Sequence, residues 1–362
     1  MNSGNYAYQC HEQKEAGNLA AAMVSCNKAI EMDPKNDAAY YYRGNVYAAR
    51  GDFDSAIADY DVAINLDPKN ENAYYYRGLA RINKGDFDNA IADYTRYIEF
   101  DPKLAEAYHN RALARSSNGD YDNAIIDYSK AIELDPQLAE AYLGRAGAKE
   151  GKGDLDGAIA DSSKAIEIDR NNVPAYVRRG QIKAHKGDLT GSISDYSEAL
   201  KIDPKSSLAY AARGYLLYDS QAWREALADF RASIANGSNK DYEHLRIFLI
   251  RKRLGEGVAG IKELEGYLAS RKNNTDWFAA IVNFLAGRTS EDRFLTIAGR
   301  GEGQKIQEQR CEAYFYAATL RLIKGEKATA LEYFRKSVET NVKAFTEYQS
   351  AKAELQLLNK RP

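Results

Sequence analysis

Residues 39–68 read AYYYRGNVYAARGDFDSAIADYDVAINLDP, and residues 73–102 keep the same landmarks as AYYYRGLARINKGDFDNAIADYTRYIEFDP. The step between the two copies is 34 residues, and a fixed period of this length predicts an array of helix–turn–helix units. Five of the seven prolines follow the same step, and Arg170 fills the slot between Pro136 and Pro204. These prolines are Pro34, Pro68, Pro102, Pro136 and Pro204.

Each landmark of the quoted stretch has a place in such a unit. Apolar and small residues recur at helical spacing from Ala39 to Arg50, which predicts the first helix. Gly51 suits the left-handed backbone position that ends a helix, and Asp52 can then cap the next helix. Pro68 cannot continue a helix, so the second helix is expected to end just before it.

The pattern runs in register through six repeats between residues 36 and 236. It resembles the tetratricopeptide repeat family. The resemblance implies an all-α fold, a right-handed superhelical solenoid of antiparallel helix pairs with a helical C-terminal cap. The sixth repeat has Gln221-Ala222 where the others have Gly-Asp, so a looser turn, or corner, is expected between its two helices.

The strictness of the register predicts four segments. Residues 1–35 are a degenerate N-terminal repeat, and residues 36–236 are the six full repeats. Residues 237–310 are a degenerate helical repeat region that ends in a Gly299–Gly303 loop. Residues 311–362 are a terminal repeat-like segment followed by a capping helix, which would cover the apolar face of the last pair.

Three stretches near the C-terminus carry a second resemblance. They are Trp277–Gly287 (WFAAIVNFLAG), Glu312–Tyr316 (EAYFY) and Phe345–Tyr348 (FTEY). They resemble the C-terminal part of NlpI-type bacterial lipoproteins, exported repeat proteins that scaffold proteases and cell-wall hydrolases. The resemblance implies a bacterial source and an adaptor role.

Paired charges repeat with the period. Each full repeat has an Arg where the family commonly has an apolar residue, and an Asp follows sixteen residues later. The flanking repeats lack both members together. This co-variation predicts structural ion pairs between first and second helices, within a repeat or across a junction. The pairs are Arg43 with Asp59, Arg77 with Asp93, Arg111 with Asp127, Arg145 with Asp161, Arg179 with Asp195, and Arg213 with Asp229.

The cysteines bear on the compartment. Cys10 occupies the slot of Gly44 and Cys26 the slot of Tyr60, two slots that face one another in a helix pair. A disulfide between them would imply an oxidising compartment, whereas two buried free thiols would act as small apolar residues. Cys311 is expected in the core. Localisation stays open, cytoplasmic if the chain is the full gene product and periplasmic or extracellular if a signal peptide was removed.

Composition narrows the function. The 50 basic and 52 acidic residues give a net charge of −2, which argues against nucleic acid as a partner. No apolar run reaches eighteen residues, so no membrane insertion is expected. The four histidines lie in different repeats without ligand spacing, and the glycines of Gly299–Gly303 follow a helix rather than a strand. We therefore predict no metal, no cofactor, no catalytic residue and no enzyme.

Without a predicted catalytic or metal site, the remaining candidate for function is a binding surface. In the family the first helices of successive repeats line a concave groove, and the resemblance implies a partner-binding stripe there. Exposed aromatic and apolar residues usually mark a binding site, although tyrosine could simply suit the lining of the superhelix. The predicted groove residues are Tyr41, Asn45, Tyr75, Leu79, His109, Leu113, Leu143, Val177 and Tyr215.

The leading hypothesis is a scaffold or adaptor that binds a peptide or protein segment in this groove, in the manner of NlpI-type adaptors for proteases or cell-wall hydrolases. The alternative is a structural protein that self-assembles through the solenoid ends, which leaves a homo-oligomer open.

Overall fold

The computed structural model describes residues 2–238, 241–300 and 303–360, and within these ranges it contains helices and connections but no strand. The chain divides into two compact units, Met1–Lys186 and Gly187–Pro362. The predicted Gly299–Gly303 loop lies in part outside the described residues. The all-α solenoid class predicted from the 34-residue period is confirmed.

Antiparallel helix pairs build the N-terminal unit, and each pair packs on the next. Within its described residues the helices are α1 (Ser3–Glu15), α2 (Leu19–Met32), α3 (Asp37–Ala49), α4 (Phe53–Leu66), α5 (Glu71–Lys84), α6 (Phe87–Phe100), α7 (Ala105–Ser117), α8 (Tyr121–Leu134), α9 (Ala139–Gly151), α10 (Leu155–Ile168) and α11 (Val173–Lys186).

The corner inside each pair follows the predicted chemistry. Gly51 has a φ of 78°, in the left-handed region that glycine tolerates. The Asp52 carboxylate accepts the backbone N–H of Ser55 and caps α4. Close packing follows the corner, because a Cβ atom added to Gly44 would lie 2.6 Å from the Tyr60 ring. The missing side chain at Gly44 leaves room for the Tyr60 ring where α3 and α4 meet.

The C-terminal unit begins with α12 and continues in further helix pairs. Its described helices are α12 (Leu189–Ile202), α13 (Ser207–Asp219), α14 (Trp223–Ala235), α15 (Asp241–Arg253), α16 (Gly257–Ser270), α17 (Trp277–Leu285), α18 (Glu291–Ala298), α19 (Gly303–Ile323), α20 (Lys327–Glu339) and α21 (Thr346–Lys360).

The corner of the sixth repeat, between α13 and α14, keeps the backbone path of the other corners although it has no glycine. Gln221 has a φ of 64°, and its backbone N–H donates to Tyr218 O at 3.0 Å. The next N–H, of Ala222, donates to Leu217 O at 2.9 Å, as Asp52 does to Tyr47 O at 3.0 Å. The corner is therefore not looser in its hydrogen bonds. It differs in having a strained non-glycine residue and a helix start without a side-chain cap.

Helix α19 departs from the expected tail. The terminal repeat was expected to begin near Glu312, but α19 starts at Gly303 and runs for 21 residues. Its middle portion, from Cys311 to Thr319, is almost entirely buried. The apolar side chains of α15, α17, α18, α19 and α20 form one continuous cluster, with Phe248, Phe284, Phe294 and Phe315 among its members.

Candidate protein-binding surface and the ion pairs beneath it

Each predicted ion pair that lies inside one unit is formed within a repeat. Arg43 Nε donates to Asp59 Oδ2 at 2.7 Å, and Nη2 donates to Oδ1 at 2.8 Å. This two-point geometry is the strong form of the arginine–carboxylate pair. The same pairing joins Arg77 to Asp93, Arg111 to Asp127, Arg145 to Asp161 and Arg213 to Asp229.

The remaining terminal nitrogen of each guanidinium crosses the junction to the preceding repeat. Arg77 Nη1 donates to Asp61 at 2.6 Å, and Arg145 Nη1 donates to Ser129 Oγ at 2.9 Å. Each guanidinium also stacks on the tyrosine three residues earlier, as Arg77 does on Tyr74 at 5.4 Å. One arginine therefore holds its own first helix and two second helices together, both within a repeat and across a junction.

One predicted pair spans the two units. Arg179 belongs to the N-terminal unit and Asp195 to the C-terminal unit, so their pairing stays a prediction. Within its own unit, Arg179 Nη1 donates to Ser163 Oγ at 3.0 Å, and its guanidinium lies 5.7 Å from the centre of the Tyr176 ring. These two contacts are the ones that the other arginines of the series make.

The groove tyrosines are half-buried by their neighbours. The Tyr41 ring lies 5.9 Å from the Tyr76 ring of the next repeat, and burial raises the pKa of Tyr41 to about 12. The Tyr75 ring packs 5.9 Å from Tyr94. Its hydroxyl donates to Glu106 Oε1 at 2.6 Å, one repeat further along the chain. Much of the surface of these two rings is therefore used in packing repeats together.

Other predicted groove residues are divided between packing and exposure. Asn45 accepts a hydrogen bond from Tyr60 Oη at 2.7 Å, and Leu143 packs against the cluster around Tyr142. Val177 is 7% exposed and presents little surface to a partner. In the C-terminal unit, Tyr215 packs against Phe230 at 5.0 Å and lies beneath the guanidinium of Arg246.

His109 is the predicted groove residue with unusual electrostatics. Its ring meets Tyr128 edge to face at 5.5 Å, and burial lowers its pKa below the ordinary histidine value. The imidazole is therefore neutral near pH 7. Its Nδ1 is buried without a hydrogen-bond partner among the described residues.

Two leucines among the predicted groove residues remain exposed. Leu79 and Leu113 are each 38% exposed, and they occupy the same position of successive repeats on α5 and α7. Tyr75, Glu106 and Asn110 form a hydrogen-bonded group on the same two helices, with Asn110 Nδ2 donating to Tyr75 Oη at 3.3 Å. We call Leu79, Leu113 and this polar group the leucine surface.

A charged cluster further along the unit was not predicted. Glu150 Oε1 lies 2.7 Å from His185 Nδ1, and Glu150 Oε2 accepts from Arg178 Nη1 at 3.5 Å. Its only signal in the sequence is positional, since Glu150 occupies the repeat slot of Ala48 and Arg178 that of Tyr42. The surface of the first helices thus changes from aromatic and apolar to charged along the N-terminal unit.

The cysteines fall where the repeat register puts them. Cys10 and Cys26 form a disulfide that joins α1 to α2, with Cα atoms 5.3 Å apart. It occupies the place that Gly44 and Tyr60 fill in the next repeat. Cys311 is a buried free thiol on α19 beside Ser337 Oγ at 3.4 Å, and burial raises its pKa to about 11.

The described residues contain no candidate metal site and no candidate membrane span. Among them, no group of three or more His, Cys, Asp or Glu side chains is arranged to hold a metal ion. None of the helices in the described part of the chain combines the length and the apolar character that crossing a membrane requires.

Comparison with sequence families gives one consistent match. Family models described as TPR repeat match residues 44–83, 78–119 and 180–221. Models described as tetratricopeptide repeat match residues 11–36, 25–58, 105–138 and 139–172. Together these matches extend over residues 11–172 and 180–221, which is more than half of the chain.

Solved structures of similar fold are repeat proteins as well. A tetratricopeptide repeat protein from Parabacteroides merdae is 20% identical, with a TM-score of 0.57 over 68% of this chain and 98% of its own. PilW, a type IV pilus biogenesis factor, is 17% identical, with a TM-score of 0.51 over 56% of this chain and 94% of its own. MamA is 28% identical, with a TM-score of 0.44 over 47% of this chain and 92% of its own. The first two are likenesses of fold alone.

Proposed function

Because the chain belongs to the tetratricopeptide repeat family, we propose that it is a binding scaffold rather than an enzyme. Its N-terminal unit holds a peptide or protein segment against its first helices. The observation that carries this proposal is the leucine surface, where Leu79 and Leu113 stay 38% exposed one repeat apart.

The chemistry of this surface suits a segment with apolar anchors. Two leucines offer apolar area, and burying each of them under a partner would contribute on the order of 1 kcal/mol. Tyr75, Glu106 and Asn110 provide fixed donors and acceptors beside them, because their mutual hydrogen bonds hold the side chains in place. A pre-arranged surface loses little conformational entropy when a partner docks.

The test is capture of a partner from the native host by the full chain and by variants. Leu79→Glu with Leu113→Glu is expected to abolish capture, because a charge at each anchor would lie against apolar partner surface. The matched control is Leu66→Glu with Ile126→Glu, which changes residues that are 38% and 63% exposed on the second helices α4 and α8. Equal loss of capture in both pairs, or no loss in either, would contradict the proposal.

The resemblance of the tail suggests a finer proposal, an adaptor for proteases or cell-wall hydrolases. The three stretches that carry this resemblance meet in space, which supports it. Trp277 Nε1 donates to Glu312, and Tyr316 Oη donates to Glu347 Oε1 at 3.1 Å. The captured proteins, identified by mass spectrometry, test this proposal. A capture set that loses its members with the leucine variants but holds no peptidase or hydrolase would leave the scaffold in place and refute the adaptor role.

A further inference from the structure

Helix α21 has a buried face that is mainly polar. Glu347, Ser350, Ala351 and Glu354 have the spacing of one helix face, and each of them is at most 4% exposed. A helix that packs on a globular core typically buries an apolar stripe. On α21 the apolar contribution comes from Ala351 and from the partly buried Leu355 and Leu358.

Two arginines of α15 meet the two carboxylates. Arg246 Nη2 lies 3.2 Å from Glu347 Oε1, and Arg253 Nη2 pairs with Glu354 Oε1 at 2.5 Å. Both pairs have a separation of 101 residues, so α21 runs parallel to α15 with matched seven-residue spacing. Ser350 Oγ adds a hydrogen bond to Asp219 of α13 at 2.6 Å. The last helix therefore contacts first helices of much earlier pairs in this unit.

The residues that contact α21 form a surface suited to anionic side chains. Arg246 is fully buried, with its guanidinium 4.6 Å from the Tyr218 ring and 4.5 Å from the Phe315 ring. Tyr316 Oη, from α19, donates to Glu347 beside it. We call Arg246, Arg253, Tyr218, Asp219 and Tyr316 the α15 surface.

The fit between α21 and the α15 surface leaves polar atoms unused. Arg246 Nε and Nη1, Arg253 Nε and Glu354 Oε2 are buried without a hydrogen-bond partner among the described residues. Each such atom costs on the order of 1–3 kcal/mol of desolvation that no bond returns. Buried ion pairs also lose much of their attraction to desolvation. Docking of α21 is therefore weaker than its number of contacts suggests.

A pocket adjoins the second ion pair. It has a volume of about 310 Å³, and its lining includes Arg253, Glu354, Trp223, Leu322 and Leu357. It lies where the C-terminal half of α21 meets α14 and α19, so a side chain of an incoming segment has room beside Glu354 before α21 moves.

We propose that the α15 surface is a second protein-binding site, that α21 is its resident occupant, and that a partner replaces α21 with an amphipathic helix carrying two carboxylates seven residues apart. Charge complementarity selects this partner, because Arg246 and Arg253 require two anionic side chains that are seven residues apart on one face of the helix. The site lies in the C-terminal unit and does not depend on the leucine surface.

The experiment releases α21 in the full chain and offers the site a peptide. The first release variant is Glu347→Gln with Glu354→Gln, and the second is Ala351→Arg, which places a large side chain on the docked face. The control is Lys352→Ala on the exposed face of the same helix. The probe is a labelled synthetic peptide of residues 343–360, with a second peptide in which both glutamates are replaced by lysine.

Both release variants are expected to lose amide-exchange protection in residues 346–360 and to bind the labelled peptide at least ten-fold more tightly than the unmodified chain. The lysine peptide and the Lys352→Ala control should show no such gain. Loss of protection throughout α13–α20 in both release variants would make α21 an inseparable part of the core and overturn the proposal. Release without peptide binding, or dimerisation of the released chain through a second copy of α21, would overturn it as well.

Discussion

The two units of this chain solve the same packing problem in different ways. In the N-terminal unit the buried residues form separate small clusters, rich in alanine, and each cluster joins two or three neighbouring helices. In the C-terminal unit a single cluster extends from Tyr218 to Ala351 and includes most of the phenylalanines. The first arrangement makes stability a sum of local terms, whereas the second couples distant helices.

The pairing of buried carboxylates also differs between the two units. In the N-terminal unit each buried carboxylate meets an arginine sixteen residues away, and the pairing repeats with the period. In the C-terminal unit Asp229 keeps this pairing with Arg213, but Glu312, Glu347 and Glu354 meet partners from distant helices. Glu312, for example, accepts from Tyr242 Oη at 2.7 Å and from Trp277 Nε1. Local pairs can be inherited by copying a repeat, but a network of distant partners cannot.

Removal of one arginine tests whether the N-terminal pairs act locally. Arg43→Ala is expected to lower the free energy of unfolding by about 3 kcal/mol, because it strands the buried carboxylate of Asp59. The comparison is Arg111→Ala, where Arg115 Nη1 still donates to Asp127 at 2.7 Å, so the loss should be smaller. Urea unfolding measures both values.

Amide exchange shows how far the Arg43 effect reaches. Protection is expected to fall in α2 to α5 and to stay unchanged from α7 onward. Equal losses for Arg43→Ala and Arg111→Ala, or a loss of protection throughout the unit, would break the comparison between local and continuous packing.

Alkaline pH tests the distant network of the C-terminal unit. Burial, together with repulsion from Glu347, raises the pKa of Glu312 to about 8. The folded chain then binds a proton that the unfolded chain has released, so stability falls as pH rises from the unfolded carboxyl pKa through 8. We expect the unit to be about 2 to 3 kcal/mol less stable at pH 9 than at pH 6.

Thermal unfolding of the unmodified chain and of Glu312→Gln at the two pH values measures this effect. The glutamine variant should lose most of the pH dependence of the C-terminal transition, since it cannot ionise. An unchanged pH dependence in that variant would show that other groups carry it.

Substitutions at the corner of the sixth repeat are expected to have the smallest effect on stability. Gln221→Gly removes a strained left-handed residue, and Ala222→Asp restores the missing helix cap. Each change is expected to stabilise the C-terminal unit by about 1 kcal/mol. The same corner elsewhere already has Gly-Asp, so Gly51→Gln with Asp52→Ala is the matched reversal and should destabilise by a similar amount. Melting temperatures that move in the same direction for both pairs of changes would contradict this account.

The sequence predicted most where the period was strict. The 34-residue step predicted the antiparallel helix pairs, their glycine corners and the all-α class, because each of these depends on residues close together in one repeat. It also pointed to the slots of Cys10 and Cys26 and to the sixteen-residue pairing of Arg43 with Asp59, where the structure has direct contacts.

The sequence predicted less where contacts come from a neighbouring repeat or from far along the chain. The packing of Tyr41 against Tyr76 depends on how one repeat turns against the next, and the period alone does not specify that angle. The partners of Glu312 are 35 and 70 residues away. The polar face of α21 was not foreseen for the same reason, since an amphipathic helix was expected to cover an apolar end.

The arginine that crosses each junction has a mechanical consequence. When the N-terminal unit is pulled from its two ends, every junction within it bears the same load, and a guanidinium contact crosses each of them. Arg77 reaches a carboxylate across its junction at 2.6 Å, whereas Arg43 reaches only the neutral amide of Asn27 at 2.9 Å. The first junction is therefore expected to yield before the second. The later junctions are crossed by contacts to the neutral hydroxyls of Thr95, Ser129 and Ser163. Under tension the unit would behave as springs in series, and the junction joined by Arg77 and Asp61 would be the last to open.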